Sequence, residues 1–217
     1  MQTGELAELI KSRQSIRAWQ NKAVSEDVLC QAIELATHAP NGGNQQNWHF
    51  YVIVNREVIG RIADAVQASA DYIASWPESV KYGPMVTGML QRSSFFRSAP
   101  AAIAVAAKQY RSPLEDLSEA RAKTDPRAQK IRTGRAIANA RIQSVASAIA
   151  YLLLILHQMG LGAVWMTGPM QAKEEIEEIL KVSKEMDLVA FVPVGYPSES
   201  PPLRERRPVK EVCDVIR

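Results

Sequence analysis

Residues 100–107 read Pro-Ala-Ala-Ile-Ala-Val-Ala-Ala and carry no polar side chain. A strand sends successive side chains to opposite faces, so a run like this fits a strand buried on both sides. Such a chain needs covering layers above and below that strand. Its 217 residues, 47% apolar and 23% charged, are enough for them, within reach of one domain with a sizeable core.

The rest of the chain supplies candidate layers. Leu6, Leu9 and Ile10 give residues 4–12 helical spacing. Ser25 offers an N-cap, Glu26 and Asp27 favour the positive end of a helix, and Val28, Leu29, Ala32, Ile33 and Ala36 form an apolar stripe. Cys30, inside that pattern, reads as a small core residue. Pro40, Gly42 and Gly43 stop the helix. Aromatic and β-branched residues 48–54 predict a strand, and 57–73 a helix. Residues 75–98 carry Trp76, Tyr82, Phe95 and Phe96 without a clean period. They read as a lid over a pocket or as a surface excursion packed on its own aromatics. Residues 109–126 are polar, loop or helix. One long helix is expected from Pro126 to Met159, its Ala- and Ser-rich centre, Ala140–Ala150, forming a core or a dimer seam; Gly160 and Gly162 end it. A strand at 163–167, a helix at 172–182, a strand at 187–194 and an extended Pro-rich tail at 197–217 complete the order. The alternation is that of an α/β or α+β protein with one domain over residues 1–217.

Twenty-six basic residues face 23 acidic ones, a net charge of +3. That balance supplies no basic stripe for nucleic acid. The tail is locally basic: Arg204, Arg206, Arg207, Lys210 and Arg217 against Glu205, Glu211 and Asp214. Two cysteines without a CxxC fit a reduced, cytoplasmic setting. The N-terminus has no signal-type apolar segment, and the most apolar stretch, Ala146–Leu156, is shorter than the ~20 residues of a membrane span, so no membrane partner is expected.

Several chemistries lack their motifs. GxGxxG, GxxxxGK[ST] and GxSxG do not occur, and His38, His49 and His157 are scattered without metal spacing. Two other segments carry suitable groups. Arg13-Gln14-Ser15-Ile16-Arg17 sets two guanidinium groups four residues apart with a hydroxyl between. Such planar donor forks bind phosphate, although a solvated charged turn would read the same. Asn44-Gln45-Gln46-Asn47 places four side-chain amides in a row after Gly42 and Gly43. A turn accounts for the glycines but not for four amides, whose mixed donors and acceptors match a flavin ring edge.

Together these stretches resemble the nitroreductase family. SRQSIR, then APNGGNQQNWHFYVIV, then HQMGLGAVWMTGP, then VPVGYPSESPPLRERRP are similar, in order, to that family's RRSIR, APSxxNxQPWxFxVV, GLG-W-xGP and GYP followed by RxRxP, and span nearly the whole chain. Asn47 departs from the pattern, standing where the family usually has Pro. The resemblance implies a mostly antiparallel sheet flanked by helices, with a long central helix, an extended C-terminal tail and an intertwined homodimer holding FMN at its interface. It implies that Arg13, Gln14 and Ser15 hold the phosphate and ribityl end, with Arg204 and Arg206 returning from the tail. Arg17 would lie near the pyrimidine edge, Asn44 and Gln46 against the ring or ribityl chain, and Thr167 and Gly168 near flavin N5. The implied activity is hydride transfer from NADH or NADPH through FMN to a small-molecule acceptor such as a nitroaromatic, quinone or flavin. The cofactor carries that chemistry, so no catalytic side chain and no metal is assigned. A flavin-cleaving or dehalogenating relative on the same scaffold, or an FMN-binding protein without turnover, are the other readings.

Overall fold

The computed structural model describes residues 3–217. Four antiparallel strands form one sheet in the order β1-β2-β4-β3: β1 is Trp48–Ile53, β2 Ala101–Lys108, β3 Gly162–Ala163 and β4 Met186–Gly195. The helices are α1 (Thr3–Ser12), α2 (Glu26–Ala36), α3 (Arg56–Ala74), α4 (Gly83–Gln91), α5 (Pro113–Ala122), α6 (Pro126–Ala138), α7 (Ala140–Gln158) and α8 (Lys173–Leu180). This is the antiparallel sheet flanked by helices that was expected.

β2 is covered on both faces, as its composition requires. Ala101, Ile103, Val105 and Ala107 face α2 and α7, meeting Leu29, Ala32, Val145, Ile149 and Leu152. Ala102 and Ala104 face the other way, into a cluster with Ile59, Ile62, Val66, Phe96 and Ile176. Small alanines let helices approach the sheet closely on both sides. Between Val105 and Ala106 the register with β4 slips by one residue. This bulge inverts the alternation of β4. Leu188 therefore joins Phe191 in the second cluster, while Ala190, Val192 and Val194 lie in the first.

Several elements differ from the sequence expectation. The long helix is two: Asn139 sits at φ 44°, ψ 65°, ends α6 and accepts a bond from Ile142 N–H at 3.2 Å to cap α7. Asn tolerates the left-handed conformation and caps well, so one residue serves both purposes. By length and hydropathy Pro126–Gln158 would reach across a membrane, but the apolar side of α7 is spent on the sheet. The strand expected at 163–167 stops after Ala163. Val164 N–H donates to Pro193 O at 3.4 Å, and Pro193 has no N–H to return; only Met166 pairs again, with Phe191. Ser25 stands at the start of α2 without a side-chain capping bond. Cys30 is exposed, one position past buried Leu29 on the stripe's edge. Residues 75–98 contain α4 between two 3-10 turns. Phe96 is fully buried, while Trp76, Tyr82, Met85 and Met89 are exposed.

Candidate functional site

The chain leaves α1 and crosses the sheet near the start of β2. Ile16 N–H donates to Ala163 O at 3.1 Å, and Trp19 Nε1 to Gly162 O at 2.8 Å. Two glycines permit this approach. A Cβ on Gly162 would stand 2.7 Å from Ile16 Cγ1, and one on Gly195 2.5 Å from Pro100 Cγ and 3.0 Å from Trp19 Cδ1. The tail returns along the same stretch. Gln20 N–H donates to Tyr196 O (2.9 Å) and Ser198 N–H to Ala18 O (3.1 Å). The first, third and fourth sequence motifs thus meet in one place.

There a cavity of about 200 Å³ is lined by Arg13, Gln14, Ser15 and Arg17 from the N-terminal segment, and by Pro201, Arg204 and Arg206 from the tail. Among the described residues none of these four guanidinium groups has a carboxylate partner. Arg17 Nη1 reaches only Ser15 O, and Arg206 Nη1 only the carbonyls of Arg204 and Glu205, all at 3.4 Å. Burial, then the charge of Arg206, hold the Arg13 guanidinium below its ordinary pKa. Cations crowded together without a counter-ion are suited to a small dianion. A phosphate fits that donor set. A cavity this size is below the ~300–1,000 Å³ of pockets that enclose whole organic ligands, so it accounts for the anionic end of one. Beside it, Ser12 Oγ and His157 Nε2 lie 2.9 Å apart. Burial first, then the charge of Arg13, lower the His157 pKa.

The amide segment lies elsewhere, at the far end of β2. Lys108 N–H donates to Asn47 O at 2.7 Å. Alternate amides have structural partners. Gln45 bonds both ways with the Arg111 backbone. Asn47, 3% exposed, donates from Nδ2 to Lys108 O and Arg141 O, both at 3.3 Å. The departure from the family pattern thus anchors the loop to β2 and α7. Asn44 and Gln46, at φ 51° and 46°, are exposed and make no side-chain hydrogen bond among the described residues. Asn41 Oδ1 holds Gln46 N–H at 3.0 Å. Thr167 and Gly168, also exposed, follow Met166, whose partner Phe191 pairs with Ala104 midway along β2. Strands rise ~3.3 Å per residue, so the ends of β2 stand about 23 Å apart. One chain therefore brings together Arg13, Gln14, Ser15, Arg17, Arg204 and Arg206, but leaves Asn44 and Gln46 at a distance.

The sequence profile described as "Nitroreductase family" matches residues 10–196. The chain belongs to the nitroreductase family. It is similar to a putative NADH dehydrogenase/NAD(P)H nitroreductase of Methanothermobacter thermautotrophicus, 28% identical over 93% of this chain and 82% of that protein. Among solved structures it resembles a BluB-like flavoprotein from Clostridium difficile 630, with TM-score 0.84, 28% identity, and 98% and 99% of the two chains covered. Oxidised iodotyrosine deiodinase bound to FMN and 3-iodo-L-tyrosine shares the fold, with TM-score 0.71, 23% identity, and 98% and 97% covered.

One residue of this region escaped the sequence reading. Glu199 Oε1 accepts from the backbone N–H groups of Arg17 and of Ala18, the latter at 3.0 Å. A carboxylate two residues after GYP and ahead of a run of arginines was the available signal.

Proposed function

We propose that this protein is a cytoplasmic FMN-dependent oxidoreductase that takes reducing equivalents from NADH or NADPH and delivers them to a small-molecule acceptor. The observation carrying the proposal is the unpaired guanidinium cluster, built from both ends of a chain whose family includes NAD(P)H nitroreductases. When bound, FMN supplies a ring nitrogen, N5, that accepts hydride and passes electrons onward. Arg13, Arg204 and Arg206 hold its phosphate, which carries ~1.5–2 negative charges. Gln14 and Ser15 line the way to the ribityl chain. Arg17, on the rim of the same cavity, would face the pyrimidine edge, where a fixed cation would favour the reduced, anionic ring. Thr167 and Gly168 offer backbone beside the ring.

Asn44 and Gln46 complete the site from a second copy, in an intertwined homodimer. Their separation from the arginines supports this, as does the apolar surface one chain leaves open. Leu6, Ile10, Leu35 and Tyr151 edge a groove of about 500 Å³ between α1, α2 and α7. In the tail Val209, Val212, Val215 and Ile216 are 57–96% exposed. Such apolar surface marks an interface. We read residues 1–217 as one FMN-binding unit, with 75–98 as its lid. The likeness to iodotyrosine deiodinase favours reductive dehalogenation as the second reading, with Trp76, Tyr82, Met85 and Met89 selecting the substrate.

Purified protein should show a bound-flavin absorbance spectrum that bleaches on anaerobic addition of NADH or NADPH. Colourless protein that cannot be loaded with FMN contradicts the proposal. Bound FMN reduced no faster than free FMN would make the protein a binder without turnover.

A further inference from the structure

The cation cluster is self-repelling, yet the tail carrying half of it is held in place. The bonds that hold it lie upstream of the arginines. Gln20 N–H donates to Tyr196 O and Gln20 Nε2 to Pro197 O, both at 2.9 Å; Ser198 N–H donates to Ala18 O; Glu199 Oε1 accepts from Arg17 and Ala18 N–H. Beyond Glu199, no hydrogen bond among the described residues joins the tail to the rest of the chain. Arg204 and Arg206 therefore stand where the last of these anchors aims them.

The choice of partners matters as much as the position. A carboxylate bonded to Arg13 or Arg206 would compete with an incoming anion. Glu199 bonds only backbone N–H groups and leaves every guanidinium free. Bonds to an ionised acceptor are about twice as strong as neutral ones. These two also fix the backbone between Ser15 and Ala18, so one side chain sets both halves of the cluster.

We infer that Glu199 is the positioning residue of the phosphate site, holding the Arg13–Arg17 segment and the tail arginines in one arrangement before the anion arrives. The inference rests on the phosphate reading of that cavity. Such preorganisation raises affinity by removing the ordering cost from the binding step. Because the tail arginines face only the phosphate, its loss should fall more heavily on FMN than on riboflavin, which separates it from a general role in folding.

The test compares FMN with riboflavin, which lacks the phosphate, by fluorescence titration of the full-length protein and its Glu199→Ala and Glu199→Gln variants. Glu199→Ala should weaken FMN binding about tenfold and riboflavin binding, through Arg17 alone, by about threefold or less, narrowing the preference for FMN. Glu199→Gln, which keeps an acceptor oxygen, should restore at least half of the loss on a logarithmic scale. Unchanged FMN affinity, equal weakening of both flavins, or no recovery in Glu199→Gln overturns the role of Glu199 while leaving the phosphate site standing. A wild-type protein without preference for FMN over riboflavin removes the phosphate site and this inference with it.

Discussion

At the start of β2, charge is gathered from both ends of the chain; at its finish, neutral amides are set out by one short loop. The first region is held by long-range contacts: Trp19 on Gly162, Gly195 against Pro100, Glu199 across 182 residues to Arg17. The second is held across shorter separations, by Asn41 on Gln46, five residues apart, Gln45 on Arg111, 66 apart, and Asn47 on Lys108, 61 apart. In each, some groups are fixed so that others stay free. On the proposed reading, the difference means that neither half is a site by itself. One has unpaired cations and little room, the other has free neutral amides beside paired charges, and a strand of about 23 Å separates them.

This contrast makes separable predictions. The largest effect is expected at the charged end. Charge-assisted hydrogen bonds contribute about 1.5–3 kcal/mol each. Arg13→Ala combined with Arg206→Ala should therefore lower FMN affinity about 100-fold or more, while riboflavin affinity, read by the same fluorescence titration, changes little. Equal losses for both flavins would take these arginines away from the phosphate.

A smaller effect is expected at the amide end. Neutral hydrogen bonds contribute about 0.5–1.5 kcal/mol. Asn44→Ala with Gln46→Ala should weaken FMN and riboflavin alike, by about tenfold, because the proposed site sets these groups against the ring or ribityl chain. A loss confined to FMN would place them at the phosphate and dissolve the contrast between the two ends.

The smallest effect concerns the joint that steadies the amide end. Asp187 pairs with Arg141 at 2.5 Å and with Lys173 at 3.1 Å, and Arg141 also donates to the Ala107 and Lys108 carbonyls. The hydrogen bond from Arg141, then that from Lys173, overcome burial and hold the Asp187 carboxyl below the usual range. A lowered carboxylate pKa stabilises the fold above the ordinary carboxylate range, and that contribution fades as pH falls through the lowered value. The pair is partly solvent-screened, so Asp187→Asn should cost about 1 kcal/mol at pH 7. It should cost less at pH 3, as read by urea unfolding. A cost that grows on acidification would contradict the assignment.

Much of this was legible in the residues. The both-sided burial of β2 follows from its unbroken apolar run, and the order of four motifs identified the family. The family resemblance, not charge, put the two arginine-bearing segments together, since like charges repel. The rest was set by geometry that local patterns do not carry. Asn139 breaks what reads as one helical pattern because its side chain caps the next helix, a role visible only once the turn is formed. Pro193 ends β3 from a different strand. Among four consecutive amides, only packing shows that Gln45 and Asn47 are fixed while Asn44 and Gln46 are free. Residues 75–98 have weak periodicity because most of their large side chains face outward, where no core dictates spacing.

The central claim is that the arginine end of one chain and the amide end of another make one site. Subunits carrying Arg13→Ala and Arg206→Ala can be mixed with subunits carrying Asn44→Ala and Gln46→Ala, and the heterodimer isolated through two affinity tags. A shared site predicts one FMN per two chains, bound with wild-type affinity, because one of the two sites is then fully wild type. A heterodimer in which no FMN binds with wild-type affinity would contradict the claim.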